Sequence, residues 1–285
     1  MDQTDPVPLQ PEQFERHRRQ LESVAYRMLG SVSEAEDAVQ EAWLRVSRSR
    51  SESIENVGGF LTTVVGRVCI DLLRARRARP EDAAGDRLPE PLVGAEDHSD
   101  PEQETLLADA VGVALLVVLD TLTPSERLAF VLHDMFAVPF SEIAEILERT
   151  PDAVRQLASR ARRRVRGAAP KPDPDLARQR EVVAAFLAAS RGGDFDALVE
   201  ILDPDVVFRV RGRIQRLEVH GAEDVARTVL ERGTPFAHLG RLALVNGTAG
   251  ILVGSLERPR AVAACTVAGG KIVSMDVIVS PTLAG

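Results

Sequence analysis

The residues best suited to chemistry in this chain are the arginines of a two-helix segment at residues 140–166. Six arginines and no acidic residue follow Val154 in this segment. A guanidinium can hold a phosphate or pair with guanine, and a glutamine amide can pair with adenine. The candidates for contact with bases and phosphates are on the outward face of the second helix: Arg155, Gln156, Ser159, Arg160 and Arg163. Their types and spacing indicate DNA as the binding partner.

Two helices must position these side chains. Apolar residues at spacings of three and four predict the first helix: Phe140, Ile143, Ala144 and Leu147. Thr150 followed by Pro151 predicts the start of the second helix, because a hydroxyl caps a helix and proline is tolerated at its first position. The pattern is that of a helix-turn-helix. An ordinary surface helix with a solvated arginine face would show the same pattern.

The turn between the two helices lacks a glycine. Its place is taken by Glu148 or Arg149. A left-handed conformation costs a residue other than glycine about 1–2 kcal/mol. We therefore expect a turn less sharp than the usual one.

The composition narrows the class of protein. The net charge of −8 over 285 residues argues against a uniformly basic DNA-coating protein. The negative charge is concentrated between Glu81 and Asp109, where ten acidic residues and one arginine give −9 and leave the other residues together near +1. The two cysteines, Cys69 and Cys265, predict reduced thiols rather than a disulfide framework or a metal site. We expect no cofactor, no membrane association and a cytoplasmic location, because the sequence shows neither a signal peptide nor an apolar run that could span a bilayer.

Periodicity and composition divide the chain into domains and linkers. Residues 10–79 have helical periodicity throughout, and residues 80–105 read as an acidic linker. A second helical domain at 106–167 ends in the helix-turn-helix, and a proline-rich spacer follows at 168–175. Residues 176–285 form the last domain.

The last domain changes from helix to strand. Helices are predicted at 177–191, 194–202 and 222–232, and glycine-containing turn pairs separate runs that alternate like strands. The predicted strands are 206–213, 243–245, 250–257, 260–267 and 271–279. The fold class is therefore multidomain, with two all-α domains and a C-terminal α+β domain.

Four motifs, in this order, resemble those of extracytoplasmic-function sigma factors. EAEDAVQEAWLRV at 34–46 resembles the conserved second region of the family, and FLTTVVGRVCIDLLRARRAR at 60–79 resembles the part that melts and reads the −10 element. LTPSERLAFVLHDMFAVPFSEIAEIL at 122–147 and TPDAVRQLASRARRRV at 150–165 resemble the fourth region, which reads the −35 element. The resemblance implies that the partners are core RNA polymerase and promoter DNA.

The resemblance also assigns roles to particular residues. It implies that the exposed face of the helix at 34–46 binds polymerase, through Asp37, Gln40, Glu41 and Arg45. It implies that the −10 element is contacted from the helix at 60–79, through Arg67, Arg74, Arg76 and Arg77. The five polar residues of the helix-turn-helix become the candidates for the −35 element. Ordinary solvated faces remain the alternative for each of these sets.

The sequence LPEP at Leu88–Pro91 and the trailing α+β domain resemble the subgroup of these factors with a SnoaL-like extension of the NTF2-like cone fold. That resemblance implies an apolar cavity, with Asp205, Arg209, His220 and Asp276 as candidate polar groups. Nothing in the sequence brings two such groups together, so we predict no catalytic residue. A small-molecule ligand and a purely protein-contacting regulatory role both remain open for this domain.

We therefore predict an alternative sigma factor that binds core RNA polymerase, directs initiation at specific promoters and is regulated in cis by its C-terminal domain. The alternative is a helix-turn-helix repressor, or a DNA-binding protein fused to a cyclase-like or isomerase-like domain. A repressor would bind duplex DNA tightly without polymerase, and a fused enzyme would turn over a small molecule.

Overall fold

The structure of the protein is a computed structural model. It describes residues 10–48, 56–78, 90–94, 113–168, 172–212, 216–256 and 258–279. Most of the predicted acidic linker and part of the proline-rich spacer lie outside these residues. The chain divides into two compact units: a helical unit of residues 1–85 and 118–165, and a sheet unit of residues 86–117 and 166–285.

The first half of the helical unit contains three helices, α1 (Pro11–Leu29), α2 (Val32–Arg48) and α3 (Val57–Arg77). Helix α1 ends at Gly30, which has the left-handed conformation (φ 78°) that stops a helix. Helix α3 begins at Asn56, whose side chain accepts a hydrogen bond from the third amide of the helix. The apolar stripes of all three helices are buried, as their periodicity predicts.

The second half of the helical unit contains the helix-turn-helix. A turn with π-helical hydrogen bonds, Val131–Met135, continues α5. The helices from residue 113 onward are α4 (Val113–Thr121), α5 (Pro124–Phe130), α6 (Phe140–Leu147) and α7 (Pro151–Ala168). Thr150 caps α7 as predicted, because its hydroxyl accepts a hydrogen bond from the Ala153 amide at 3.3 Å.

The turn between α6 and α7 corrects the expectation of a blunter connection. Glu148 has φ 53° and ψ 49°, which is the left-handed conformation that glycine usually takes. The cost of about 1–2 kcal/mol is outweighed because the turn lets both helices bury their apolar faces. Ile143 and Val154, one from each helix, are completely buried.

The sheet unit consists of one seven-stranded sheet and the helices that pack on it. Its helices are α8 (Leu176–Gly192), α9 (Phe195–Ile201), α10 (Ala222–Thr228) with a π-helical turn at Val229–Gly233, and α11 (Thr234–Ala237). Its strands are β1 (Val93–Gly94), β2 (Leu202–Arg211), β3 (Arg216–His220), β4 (Gly240–Val245), β5 (Thr248–Gly254), β6 (Pro259–Ala268) and β7 (Lys271–Val279).

The strand order is β1-β4-β5-β6-β7-β2-β3. Neighbouring strands are antiparallel except β2 and β7, which are parallel. Strand β3 is absent from the sequence prediction because its five residues include only two apolar ones, Leu217 and Val219. Strand β2 begins at Leu202, four residues before the predicted start.

The two faces of the sheet have different cores. On one face the helices cover apolar side chains of the strands, among them Val206, Phe208 and Met275. On the other face Val113 and Val117, which precede the helix-turn-helix in sequence, pack against Val262 and Ile278. Helices packed on one face of a mixed sheet around a cavity are the α+β cone architecture that the sequence predicted.

Candidate nucleic-acid interface and C-terminal cavity

The outward face of α2 carries the predicted polymerase contacts. Asp37, Gln40, Glu41 and Arg45 are all exposed, because the opposite face buries the alanine and valine side chains of the helix. Arg45 donates a hydrogen bond to Glu41 at 2.8 Å and lies 3.8 Å from Asp71 of α3. The structure thus brings the four residues together on one accessible charged surface.

The predicted −10 residues of α3 fall into two groups. Arg67 and Arg74 are exposed. Arg76 forms an ion pair with Glu34 of α2, and Arg77 donates a hydrogen bond to the carbonyl oxygen of Leu122 at 2.9 Å. Two of the four guanidiniums are therefore engaged inside the helical unit in this conformation.

The predicted −35 residues of α7 are exposed, and two of them have anionic partners. Arg155 pairs with Asp152, and Arg160 lies 3.3 Å from Glu126 of α5. Gln156, Ser159 and Arg163 are exposed on the same helix. The sequence pattern predicted that these side chains lie on the outward face of the helix, and they are exposed, but it did not show their partners.

Glu126 is a central residue that the sequence prediction missed. Its side chain is only 5% exposed and closes the capping box at the start of α5 by accepting hydrogen bonds from the amide and hydroxyl of Thr123. It also accepts hydrogen bonds from Arg160 at 3.3 Å and from Arg164 at 3.0 Å. Burial raises the pKa of this carboxyl, but the Thr123 and arginine donors outweigh burial, so its pKa is lowered overall. The TPSE motif at 123–126 was the available sequence signal.

Helix α1 and the α5 segment are held together by a buried arginine, Arg127, that the sequence prediction also missed. The Arg127 side chain donates to the carbonyl oxygen of Arg27 in α1 at 3.0 Å and to Asp120 at 2.5 Å. Burial lowers the pKa of its guanidinium, and the charge of Asp120 acts in the opposite direction. A Cβ atom at Gly66 of α3 would lie 3.0 Å from Leu132, which shows how closely the two halves approach. The −10 and −35 candidates therefore belong to one packed body.

The sheet unit contains a cavity of about 930 Å³ between its helices and the concave face of the sheet. The walls are mainly apolar, with side chains such as Phe186, Phe208, Leu217, Ile251 and Met275. The polar side chains among the described lining residues are Ser190, Thr228, Arg216, Arg232 and Arg260. The volume is typical of a cavity that binds a small molecule.

The structure corrects the predicted polar lining of this cavity, since Asp205, Arg209, His220 and Asp276 are not part of it. Alternate residues of a strand point to opposite faces of the sheet. Phe208 and Val210 line the cavity, so Arg209 between them projects from the other face, and Asp276 does so between Met275 and Val277.

Two of these four residues meet on the other face of the sheet. Arg209 lies 3.7 Å from the carboxyl of Asp276, which is buried, and neither oxygen of that carboxyl has a hydrogen-bond donor among the described residues. Burial raises the pKa of Asp276, and the neighbouring Arg209 opposes this rise. Asp205 is exposed, and His220 is exposed 3.0 Å from Glu218.

In the described part of the chain, no three His, Cys, Asp or Glu side chains come together as a metal site. No helix of those residues is both long and apolar enough to cross a membrane.

Comparison with known proteins identifies both halves of the helical unit. The model of sigma-70 region 2 matches residues 13–79, and the model of sigma-70 region 4 matches residues 112–165. These two regions, with a charged outer face on α2 and a helix-turn-helix at α6–α7, define a sigma factor, the class of protein that directs RNA polymerase to promoters. The chain belongs to the extracytoplasmic-function (ECF) RNA polymerase sigma factors.

Full-length relatives support this assignment. The chain is 42% identical over 287 residues to the ECF RNA polymerase sigma factor SigJ of Mycobacterium tuberculosis, covering 94% of this chain and 91% of the relative. It is 34% identical over 285 residues to the probable ECF RNA polymerase sigma factor SigI of the same species, covering 99% and 96%. The crystal structure of Mycobacterium tuberculosis SigJ matches with a TM-score of 0.75 and 39% identity, covering 96% of this chain and 97% of that one. The predicted resemblance is confirmed along the whole chain, including the C-terminal domain.

Proposed function

We propose that this sigma factor uses three separate surfaces of the helical unit during initiation. The charged face of α2 binds core RNA polymerase, Arg67 and Arg74 with their neighbours on α3 contact the −10 element, and α7 reads the −35 element. The observation that supports the first assignment is the exposure of Asp37, Gln40, Glu41 and Arg45 on one helix face. Contacts between charged surfaces of this kind set orientation and speed association.

The packed helical unit must open before it reads a promoter. The −35 and −10 elements are about 25 base pairs apart, which corresponds to about 85 Å of duplex at 3.4 Å per base pair. A compact body of 100 residues has a radius of gyration of only about 13 Å. The contacts of Arg127, Arg77 and Gly66 between α1–α3 and α4–α6 therefore belong to a closed state, and polymerase stabilises an open one.

The sheet unit restrains this opening through the segment that joins the two sigma regions. Strand β1 of that segment pairs with β4, with Val93 opposite Val245. The backbone amide of Leu92 donates a hydrogen bond to the side-chain oxygen of Asn246 at 2.9 Å. The backbone amide of Asn246 donates one to the carbonyl oxygen of Leu92 at 2.8 Å. A segment held at both Leu92–Gly94 and Val113–Val117 has less length available for separating the two regions. This is the physical basis of control in cis, since a tethered domain acts at high effective concentration.

We propose no catalytic role for the cavity of the sheet unit. General acid–base catalysis needs a titratable group beside the substrate. Among the described residues that line the cavity, none is an aspartate, glutamate or histidine.

Run-off transcription with purified core polymerase tests the surface assignment. We expect the full chain to initiate at its promoter and Asp37→Lys to reduce initiation at least tenfold, because it reverses a charge on the proposed polymerase face. Glu36→Lys is the matched control, since Glu36 is also exposed on α2 but is outside the predicted set. Tight duplex binding without polymerase, with no initiation from the full chain, would favour the repressor alternative.

The restraint is tested with Asn246→Gly in the full chain. Asn246 has φ 49°, which glycine adopts readily, so the change removes the side-chain acceptor of the Leu92 amide without straining the turn. We expect faster opening of the helical unit, measured by energy transfer between dyes on α3 and α7, and a changed initiation rate. Gly192→Asn at the end of α8 is the control, since Gly192 does not have a left-handed φ and a Cβ there meets no atom within 4 Å. Identical behaviour of the two variants would contradict the restraint.

A further inference from the structure

We propose that the cavity of the sheet unit binds an anionic amphiphile, a molecule with an apolar body inside the cavity and a carboxylate or phosphate group held at the mouth by Arg232 and Arg260. Nothing in the sigma-factor activity requires such a site.

The cavity interior selects an apolar body. Its walls are formed by phenylalanine, leucine, isoleucine, valine, alanine and methionine side chains from α8, α10–α11 and five strands. The two hydroxyl groups in the lining are already engaged within their own helices. Ser190 donates to the Phe186 carbonyl oxygen and Thr228 donates to the Asp224 carbonyl oxygen, each at 2.8 Å. A polar ligand body would therefore lose hydrogen bonds to water without replacing them.

The mouth of the cavity selects a negative charge. Arg216, Arg232 and Arg260 line the cavity and are also exposed, so they lie where the cavity meets solvent. Across the residues that the structure describes, Arg232 and Arg260 have no hydrogen bond or ion pair with an acidic group. With no acidic side chain among the described lining residues, the potential at the mouth is positive. A guanidinium fork binds carboxylate and phosphate through paired hydrogen bonds.

The backbone supports these two arginines on separate elements. Arg232 is part of the π-helical turn Val229–Gly233, and Arg260 follows the first residue of β6. Gly254 opposite has φ 102°, and a Cβ there would lie 2.9 Å from the Arg258 carbonyl oxygen, so the chain beside Arg260 is closely packed. Apolar side chains lie beside the mouth as well, since Phe236 is 44% exposed and lines the cavity. An anionic group entering here meets cations on two sides of an apolar opening.

Calorimetric titration of the full chain with dodecanoate, dodecyl phosphate and dodecanol tests the proposal. The three probes share the same apolar chain and differ in the head group. We expect at least one anion to bind ten times more tightly than dodecanol. The stronger anion identifies the head group that the mouth prefers.

The double variant Arg232→Gln/Arg260→Gln should lower the affinity for the anion at least tenfold and leave that for dodecanol unchanged. Arg241→Gln is the control, since Arg241 is an exposed arginine of the same sheet outside the cavity lining. Thermal melting checks that each variant is folded. Any of three results would overturn the proposal: equal affinities for anion and alcohol, an unchanged affinity in the double variant, or no binding up to 1 mM anion. A dissociation constant of 1 mM corresponds to a binding free energy of about −4.1 kcal/mol. The titration needs neither polymerase nor promoter, so its failure is distinguishable from a failure of the proposed transcription function.

Discussion

Each of the two units contains a buried carboxylate, and the two respond to burial in opposite ways. Glu126 in the helical unit is 4% exposed and has a lowered pKa, whereas Asp276 in the sheet unit is 1% exposed and has a raised pKa. Burial acts in the same direction on both groups. The difference lies in the hydrogen-bond donors. Glu126 accepts hydrogen bonds from the amide and hydroxyl of Thr123 and from two arginines, whereas no donor among the described residues hydrogen-bonds to Asp276.

The comparison separates two uses of buried charge. Around Glu126, a carboxylate with several hydrogen-bond donors joins α7, the helix proposed to read DNA, to α5. Around Asp276, burial disfavours the ionised carboxyl, and Arg209 at 3.7 Å offsets only part of that cost.

Glu126→Gln should destabilise the protein by about 2 kcal/mol at pH 7, because the amide cannot neutralise Arg160 and Arg164. The lowered pKa means that ionised Glu126 stabilises the folded state above its ordinary value of 4.5 and that this contribution is lost as the pH falls through the lower folded value. Urea unfolding of both proteins at pH 7 and pH 3.5 should show the gap narrowing in acid. Glu145→Gln, at an exposed position of α6, is the control. A gap that is the same at both pH values would contradict the assignment.

Asp276→Asn should have the opposite sign and stabilise the protein by about 1 kcal/mol at pH 7, because a neutral amide does not carry the desolvation cost of a buried carboxylate. The raised pKa means that ionised Asp276 disfavours the folded state, and that wild-type stability recovers as the pH falls through that raised value. The advantage of the variant should therefore shrink with decreasing pH. Asp205→Asn serves as the exposed comparison in urea unfolding experiments. A clear loss of stability in Asp276→Asn at pH 7 would show that the ion pair with Arg209 is net favourable.

Arg163→Ala should weaken binding of the polymerase complex to all promoters by about fivefold and lower the salt slope by about 1, as expected for one lost phosphate contact. Arg160→Ala should cost less, because Arg160 already has Glu126 as an anionic partner. Arg155→Ala should instead relax the preference at one base pair of the −35 element. Fluorescence anisotropy with matched promoter duplexes measures all three. Equal selectivity after Arg155→Ala and Arg163→Ala would contradict the division of roles.

The smallest difference between the two units is expected in the reactivity of their cysteines, Cys69 and Cys265. Burial raises the pKa of both Cys69 and Cys265 to about 12, so neither forms the reactive thiolate near pH 8. We expect a disulfide reagent to modify neither thiol in the native protein within minutes and both after denaturation in guanidinium chloride. Rapid native labelling of one thiol would show that its unit opens locally.

Much of the fold was predictable because it follows local rules. The helical periodicity of residues 10–79 and the Thr150–Pro151 start of α7 each depend on neighbouring residues, and the structure confirms both. Strand β3 was missed because its alternation is too short to distinguish from a loop. The sequence predicts too blunt a turn at Glu148, because the local cost of a left-handed conformation does not include the tertiary packing that offsets it.

The candidate sites divide in the same way. Helical periodicity predicts the exposure of the named α2 and α7 residues and of Arg67 and Arg74 on α3, and these side chains are exposed, whereas Arg76 is paired with Glu34. The lining of the cavity could not be predicted from the sequence, because a strand pattern shows which residues share a face of the sheet but not which face encloses the cavity. Asp276 and Arg209 have the chemistry of polar cavity groups, but the alternation of β2 and β7 places both on the opposite face of the sheet from the cavity. Arg232 and Arg260 carry no motif that would have distinguished them from other surface arginines.

By itself, the sequence determined the class of this protein. The order of the two sigma regions, the helix-turn-helix and the α+β C-terminal domain can all be read from motifs and periodicity, because each is encoded within a short stretch of chain. Tertiary structure alone decided which arginines are engaged and which remain exposed at a cavity. Those choices depend on contacts between residues far apart in sequence, such as Glu126 with Arg160 and Arg127 with Arg27. An ion pair or a buried donor exists only where folding brings two groups within a few ångströms, and no local pattern specifies that distance.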